Sequence, residues 1–204
     1  MEKLEEINRS ILSCKRCDLY FSRKKAVCGI GSKNPFAMVV GEAPGSMEDD
    51  LGIPFIGRSG KLLREVLEKC DLKIDEIYIS NSVRCRPKIG KTPKTSEIRK
   101  CSTYLRNEIS ILRPRLLIPM GNSSIKSLGF IFGINLGNIS DLEGLFFLRD
   151  NTFIAPQFHP AAILRNPKRY EKFKDNFMTI ARFTSDHNRL EMPEIMRKYS
   201  VRLI

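Results

Sequence analysis

The chain has no apolar run approaching the roughly 20 residues that cross a bilayer. Its longest, LLIPM at 116–120 and FIFGI at 130–134, stop at five. It also lacks the unbroken apolar stretch of a secretory signal, because MEKLEEINRS alternates charged with apolar positions. No membrane contact and an intracellular, cytoplasmic location are therefore expected. Repeats and low-complexity tracts are missing, and 42% hydrophobic with 28% charged residues excludes disordered, collagenous and coiled-coil classes. A length of 204 residues suits one well-filled core. The expected organisation is one domain over residues 1–183 followed by a C-terminal extension, 184–204, a polar connector and short helix. Acidic residues are scarce, 23 against 35 basic, and the resulting charge of +12 draws polyanions such as nucleic acid. Histidine is scarcer still, with only two, and no histidine-carboxylate metal constellation of a zinc hydrolase appears in the sequence.

What is present is an alternation of periods. Leu4, Ile7 and Ile11 form the stripe of a lead-in helix. AMVVG at 37–41, IYIS at 77–80 and RLLIP at 115–119 are short apolar runs that end near Gly, Asn or Pro, as buried parallel strands do. Between them, Leu62, Leu63, Val66, Leu67 and Cys70 make one helix face. Ile98, Cys101, Leu105, Ile109 and Leu112 make another, with Thr95 the expected N-cap. FFLR at 146–149 and TFIAP at 152–156 read as a hairpin, and Asn166-Pro167 opens a last helix with Tyr170, Phe173, Phe177 and Ile180 inward. The pattern predicts a doubly wound α/β sheet whose ligand sits at the carboxyl ends of its strands, near 41–45, 81–84, 121–123 and 157–159.

Six cysteines inside a reducing compartment point away from disulfides. Cys14 and Cys17 form a C-x-x-C, and Cys85 and Cys101 form a second pair, together the four thiolates that a zinc ion or an iron-sulfur cluster requires. Lys15, Arg16, Arg84, Arg86 and Lys100 are expected to lower the thiol pKa values. Cys28 and Cys70 read as small buried hydrophobes. In the loop GEAPGSMEDDLGIPFIGRSGKLL at 41–63, Glu42, Glu48 and Asp49 are unusual acids in a basic protein, with Phe55 nearby. They read either as water-activating carboxylates or as solvated loop acids. Asn81 ends a strand, as a turn residue or a binding residue, and His159 stands at the end of another before a proline. His187, in the polar tail, is expected at the surface.

These cysteines, that loop, NSVRCRP at 81–87 and FHPAAILRNP at 158–167, in this order, resemble the family 4 uracil-DNA glycosylases. The likeness runs from about Cys14 to Phe177. It implies a three-layer α/β/α fold with a four-stranded, mainly parallel central sheet, and a [4Fe-4S] cluster of structural role on Cys14, Cys17, Cys85 and Cys101, zinc being the second choice. The implied activity is base-flipping hydrolysis of uracil from single- or double-stranded DNA by a monomer, leaving an abasic site without strand cleavage. The other reading on the same scaffold is a non-catalytic nucleic-acid-binding protein with a structural metal centre.

The resemblance further implies that Gly41, Phe55, Asn81 and His159 bind the base. Phe55 stacks on it, Asn81 reads its edge and His159 donates to O2 as a neutral imidazole. Glu42 serves the water or the sugar cation, with Glu48 the alternative carboxylate. Ile163 or Leu164 wedges into the minor groove. Arg165, Arg84, Arg86, Lys88, Lys91, Lys94 and Ser59 contact the DNA backbone, Ser59 having the alternative of a helix N-cap. The chain departs from the better-known family 1 at Ala43 and Gly45, where those enzymes carry aspartate and tyrosine. It departs from a product-trapping relative at Gly90, which stands in place of a histidine, so no covalent adduct is expected.

Overall fold

The computed structural model describes residues 2–204. Among these residues seven strands form one sheet: Ile30–Gly31 (β1), Ala37–Gly41 (β2), Ile77–Asn81 (β3), Leu116–Pro119 (β4), Phe147–Arg149 (β5), Thr152–Ile154 (β6) and Arg202–Leu203 (β7), in the order β1-β3-β2-β4-β6-β5-β7. The inner four, β3, β2, β4 and β6, are mutually parallel. They are the four-stranded core expected from the sequence. Around them β1 and β5 add antiparallel neighbours, β1 forming one edge, and β7, parallel to β5, forms the other. β1 and β7 are two residues each, too short to show an alternation.

Among the described residues, nine α-helices cover the two faces: Glu2–Leu12 (α1), Ser46–Leu51 (α2), Arg58–Lys69 (α3), Thr95–Leu112 (α4), Asn122–Phe132 (α5), Ile139–Leu142 (α6), Pro160–Arg165 (α7), Tyr170–His187 (α8) and Met192–Lys198 (α9). β2, β3 and β4 bury every residue, and their period of two divides them between the layers. Ala37, Val39, Ile77, Ile79, Leu116 and Ile118 meet Leu63 and Leu67 of α3 and Phe173, Phe177 and Ile180 of α8. Met38, Val40, Tyr78 and Leu117 meet Leu105 of α4, Ile125 and Leu128 of α5, and Leu4 of α1. The strands are continuous apolar runs because both of their faces are covered.

Three expectations change here. α4 begins at Thr95 itself, so its N-cap is Lys94, whose N–H donates to Glu97 Oε2 at 2.6 Å. Residues 184–204 carry the end of α8, the expected short helix as α9, and β7 on the sheet, but Ile195 of α9 is buried in the main core, where a polar tail was expected. His187 is half-buried, set edge-on to Phe36 at 5.5 Å and to Phe153 at 5.6 Å, because α8 turns that face toward β6.

Candidate active site

The strand ends converge as expected for a doubly wound sheet. Gly41 closes β2 in register with Asn81 at the end of β3. The absence of a side chain at Gly41 is what lets the site form, since a Cβ there would lie 2.4 Å from Asn81 Oδ1 and 2.6 Å from the Phe55 ring. Phe55 is held in the left-handed region at φ 53°, a costly conformation for an aromatic residue. The grip comes from behind: Arg64 Nη1 donates to the Phe55 carbonyl, and Gly60 packs so closely that a Cβ would fall 1.5 Å from that oxygen. The ring reaches His159, with centroids 5.7 Å apart.

Asn81 is buried, and its Oδ1 is a buried acceptor with no hydrogen-bond partner among the described residues. Such an orphan costs about 1–3 kcal/mol, which a bound donor would recover. His159 caps α7, and its Nδ1 accepts from the Ala161 N–H at 3.2 Å. That contact assigns the remaining proton to Nε2, so the neutral ring has a donor to offer. Burial, reinforced by the nearby Arg165 charge, lowers the His159 pKa to about 4, which keeps the imidazole neutral at physiological pH.

The two candidate carboxylates differ. Glu42 is half-buried and its Oε2 accepts from Ser123 Oγ, at the start of α5, at 2.7 Å. Glu48 is buried and its Oε1 accepts from the Gly57 N–H at 2.9 Å, bracing the two glycine turns of the loop. Asp49, the third acid, accepts from the Lys24 N–H at 3.0 Å and is buried away from the site. The Glu42 partner was not singled out from the sequence; its only signal was the place of Ser123 after the β4 strand end.

Phe55, Asn81, His159, Glu42 and Glu48 line one cavity of about 430 Å³, within the range of small-molecule sites. The loop 86–91 completes its wall. Arg86 is half-buried there, while Lys88, Lys91, Lys94 and Arg165 are exposed. Ser59 also lines the cavity. It lies inside α3, whose N-cap is Gly57, so the capping alternative for it is corrected.

Two expected DNA contacts are not at the surface. Arg84 is 2% exposed and pairs at 2.6 Å with Glu108, itself 0% exposed. Ser80 donates to the same carboxylate at 2.8 Å and Tyr78 at 3.3 Å, so the guanidinium serves a polar network under β3 and cannot touch phosphate. Ile163 is 2% exposed in the main core, because α7 packs that side on α3. Leu164, on the other side, is 45% exposed.

Cys14 and Cys17 after α1, Cys85 after β3 and Cys101 on α4 line one hollow with Leu19, Val83 and Tyr104. Arg23 Nη1 donates to Cys85 Sγ at 3.0 Å. The free thiols of Cys17, Cys85 and Cys101 have raised pKa values, Cys101 to about 12. Burial outweighs the basic neighbours, which reverses the expected direction. Cys70 is buried and Cys28 half-buried, both outside the hollow.

Fold and site together define an α/β protein with a pocket walled by an aromatic ring, an amide and an imidazole at the carboxyl ends of parallel strands, rimmed by cations. A family model described as the uracil DNA glycosylase superfamily matches residues 28–182. The type-4 uracil-DNA glycosylase of Sulfurisphaera tokodaii is 35% identical over 199 residues, 92% of this chain and 90% of the relative. Those of Pyrobaculum aerophilum and Archaeoglobus fulgidus are 36% and 33% identical, covering 80% and 88% of this chain and 86% and 92% of their own. The chain belongs to the uracil-DNA glycosylase superfamily, among its type-4 members.

Proposed function

We propose that this chain hydrolyses the N-glycosidic bond of uracil in single- or double-stranded DNA and leaves an abasic site. The observation that carries the reading is the convergence of Phe55, the partnerless Asn81 Oδ1 and the neutral His159 on one cavity. An extruded uracil stacks on Phe55. Asn81 accepts from N3–H and donates to O4, a polarity that cytosine reverses at both atoms. As the C1′–N1 bond breaks, negative charge grows on the base, and Nε2–H of His159 donates to O2 without giving up its proton. Glu42, oriented by Ser123, holds the water that attacks C1′ and offsets the positive charge of the sugar. Glu48 keeps the loop in shape. Arg86, Lys88, Lys91, Lys94 and Arg165 bind phosphates, and Leu164 fills the gap in the stack.

Cys14, Cys17, Cys85 and Cys101 would hold a [4Fe-4S] cluster. Four thiols from three elements face one hollow, yet among the described residues no three metal-ligating side chains stand close enough to grip one ion. Four thiolates, one for each iron, are the ligand set that such a cluster takes. When bound, the cluster supplies cross-linking and charge, and hydrolysis needs no electron from it. The enzyme acts as a monomer.

The test is incubation with oligonucleotides carrying one uracil, thymine or cytosine, followed by alkali. Cleavage is expected only at uracil and only after alkali. Binding of uracil DNA with no base release would support the non-catalytic reading instead. Cleavage before alkali would refute the monofunctional chemistry.

A further inference from the structure

The cavity wall contains a feature that base reading does not use. Ile89 is 86% exposed, the most exposed large hydrophobic residue among those described. It belongs to none of the buried clusters, so it contributes nothing to the core. Single exposed hydrophobes are common on proteins, and exposure alone would carry no argument. Its setting is different. The Lys91 N–H donates to the Lys88 carbonyl at 2.9 Å, closing a tight turn with Ile89 and Gly90 at its centre. Gly90 has φ 73°, as a type II turn requires, and open space around it. Ile89 therefore stands at the tip of a preformed turn, with lysines on both sides and its base on the rim of the cavity.

We propose that Ile89 is a second apolar finger, which presses into the duplex stack beside the extruded nucleotide while Lys88 and Lys91 hold the flanking phosphates. This rests on the uracil-excision reading of the same site. Its occupant is a base-paired duplex, because an aliphatic tip between two cations matches a stack of apolar base faces between two rows of phosphates. The finger comes from the loop after β3, whereas Leu164 comes from α7. The vacated space is thus contested by side chains from two independent elements. A single strand has no such space to hold open, so Ile89 matters only for paired substrates.

The test compares wild type with Ile89→Ala and Ile89→Lys on one uracil-containing sequence, as a single strand and paired with adenine or guanine. Both variants should keep the wild-type melting temperature, and Ile89→Ala should lose far less turnover on the single strand than on the duplex. Removing the burial of one aliphatic side chain should lower turnover on the U:A duplex about tenfold or more, and less on U:G, which opens more easily. A 2-aminopurine next to an uncleavable 2′-fluorouridine should brighten less when the variants bind. Equal losses on single and double strands, an unchanged duplex rate, or full activity of Ile89→Lys would each overturn the finger. A wild type that releases no uracil from any substrate would instead remove the reading on which it rests.

Discussion

Gly41→Ala puts a single methyl group where the structure has least room for one. The new Cβ would sit 2.4 Å from Asn81 Oδ1 and 2.6 Å from Phe55 Cε2 and Cζ. Non-bonded carbons prefer about 3.5–4.0 Å, so the neighbours must retreat by about 1 Å. Phe55 cannot back away freely, because Gly60 and Arg64 hold its backbone from behind. The displacement therefore falls on the Asn81 amide and the ring face together. Overpacking of this kind costs about 1–3 kcal/mol, which for a chain of this length is a melting-temperature drop of roughly 2–12 °C. A misplacement of about 1 Å at a reacting centre can cost about 10²-fold in rate. Single-turnover uracil release at saturating enzyme measures that step, with affinity for a duplex carrying uncleavable 2′-fluorouridine measured beside it. A Gly41→Ala enzyme that stays folded and releases uracil at the wild-type rate would refute the claim that the base is held between Phe55 and Asn81.

The other expectations separate residues that look alike in the sequence. Arg84→Ala should destabilise the fold by about 3–5 kcal/mol, as an orphaned buried partner does, while leaving the salt dependence of DNA binding unchanged. Arg86→Ala should do the reverse, lowering the log–log salt slope by about 0.9, as binding titrations at several salt concentrations would show. Glu42→Gln should lower the single-turnover rate and spare affinity, with Ser123→Ala adding nothing further in that background; Glu48→Gln should lower the melting temperature first, since it braces Gly57. His159 should titrate near pH 4 by NMR, with its proton on Nε2 above that. Its folded pKa lies below the unfolded value of about 6.5, so stability holds above that pH and falls as pH drops toward 4, by at most ~3 kcal/mol. A midpoint near 6.5 would contradict the buried neutral ring.

Short continuous apolar runs and a spacing of three to four residues were enough to place β2, β3, β4 and the long helices, because buried strands and amphipathic helices write their surroundings into the chain. The cysteine quartet and the segments around Glu42, Asn81 and His159 were likewise legible, since strand ends of a doubly wound sheet are where ligands gather. Sequence could not say which side of a residue faces in. Arg84 and Arg86 are two positions apart in one basic motif, yet Glu108, contributed by a distant helix, draws the first inward and leaves the second at the cavity. Ile163 and Leu164 are neighbours, and only the packing of α7 on α3 buries one and exposes the other. The role of the last twenty residues was hidden for a similar reason: β7 is two residues long, and a strand that short exists only because β5 offers it an edge. Local pattern determined the elements and the types of chemistry available. Long-range packing decided the company each side chain keeps, because burial and partners are properties of contacts between segments far apart in the chain.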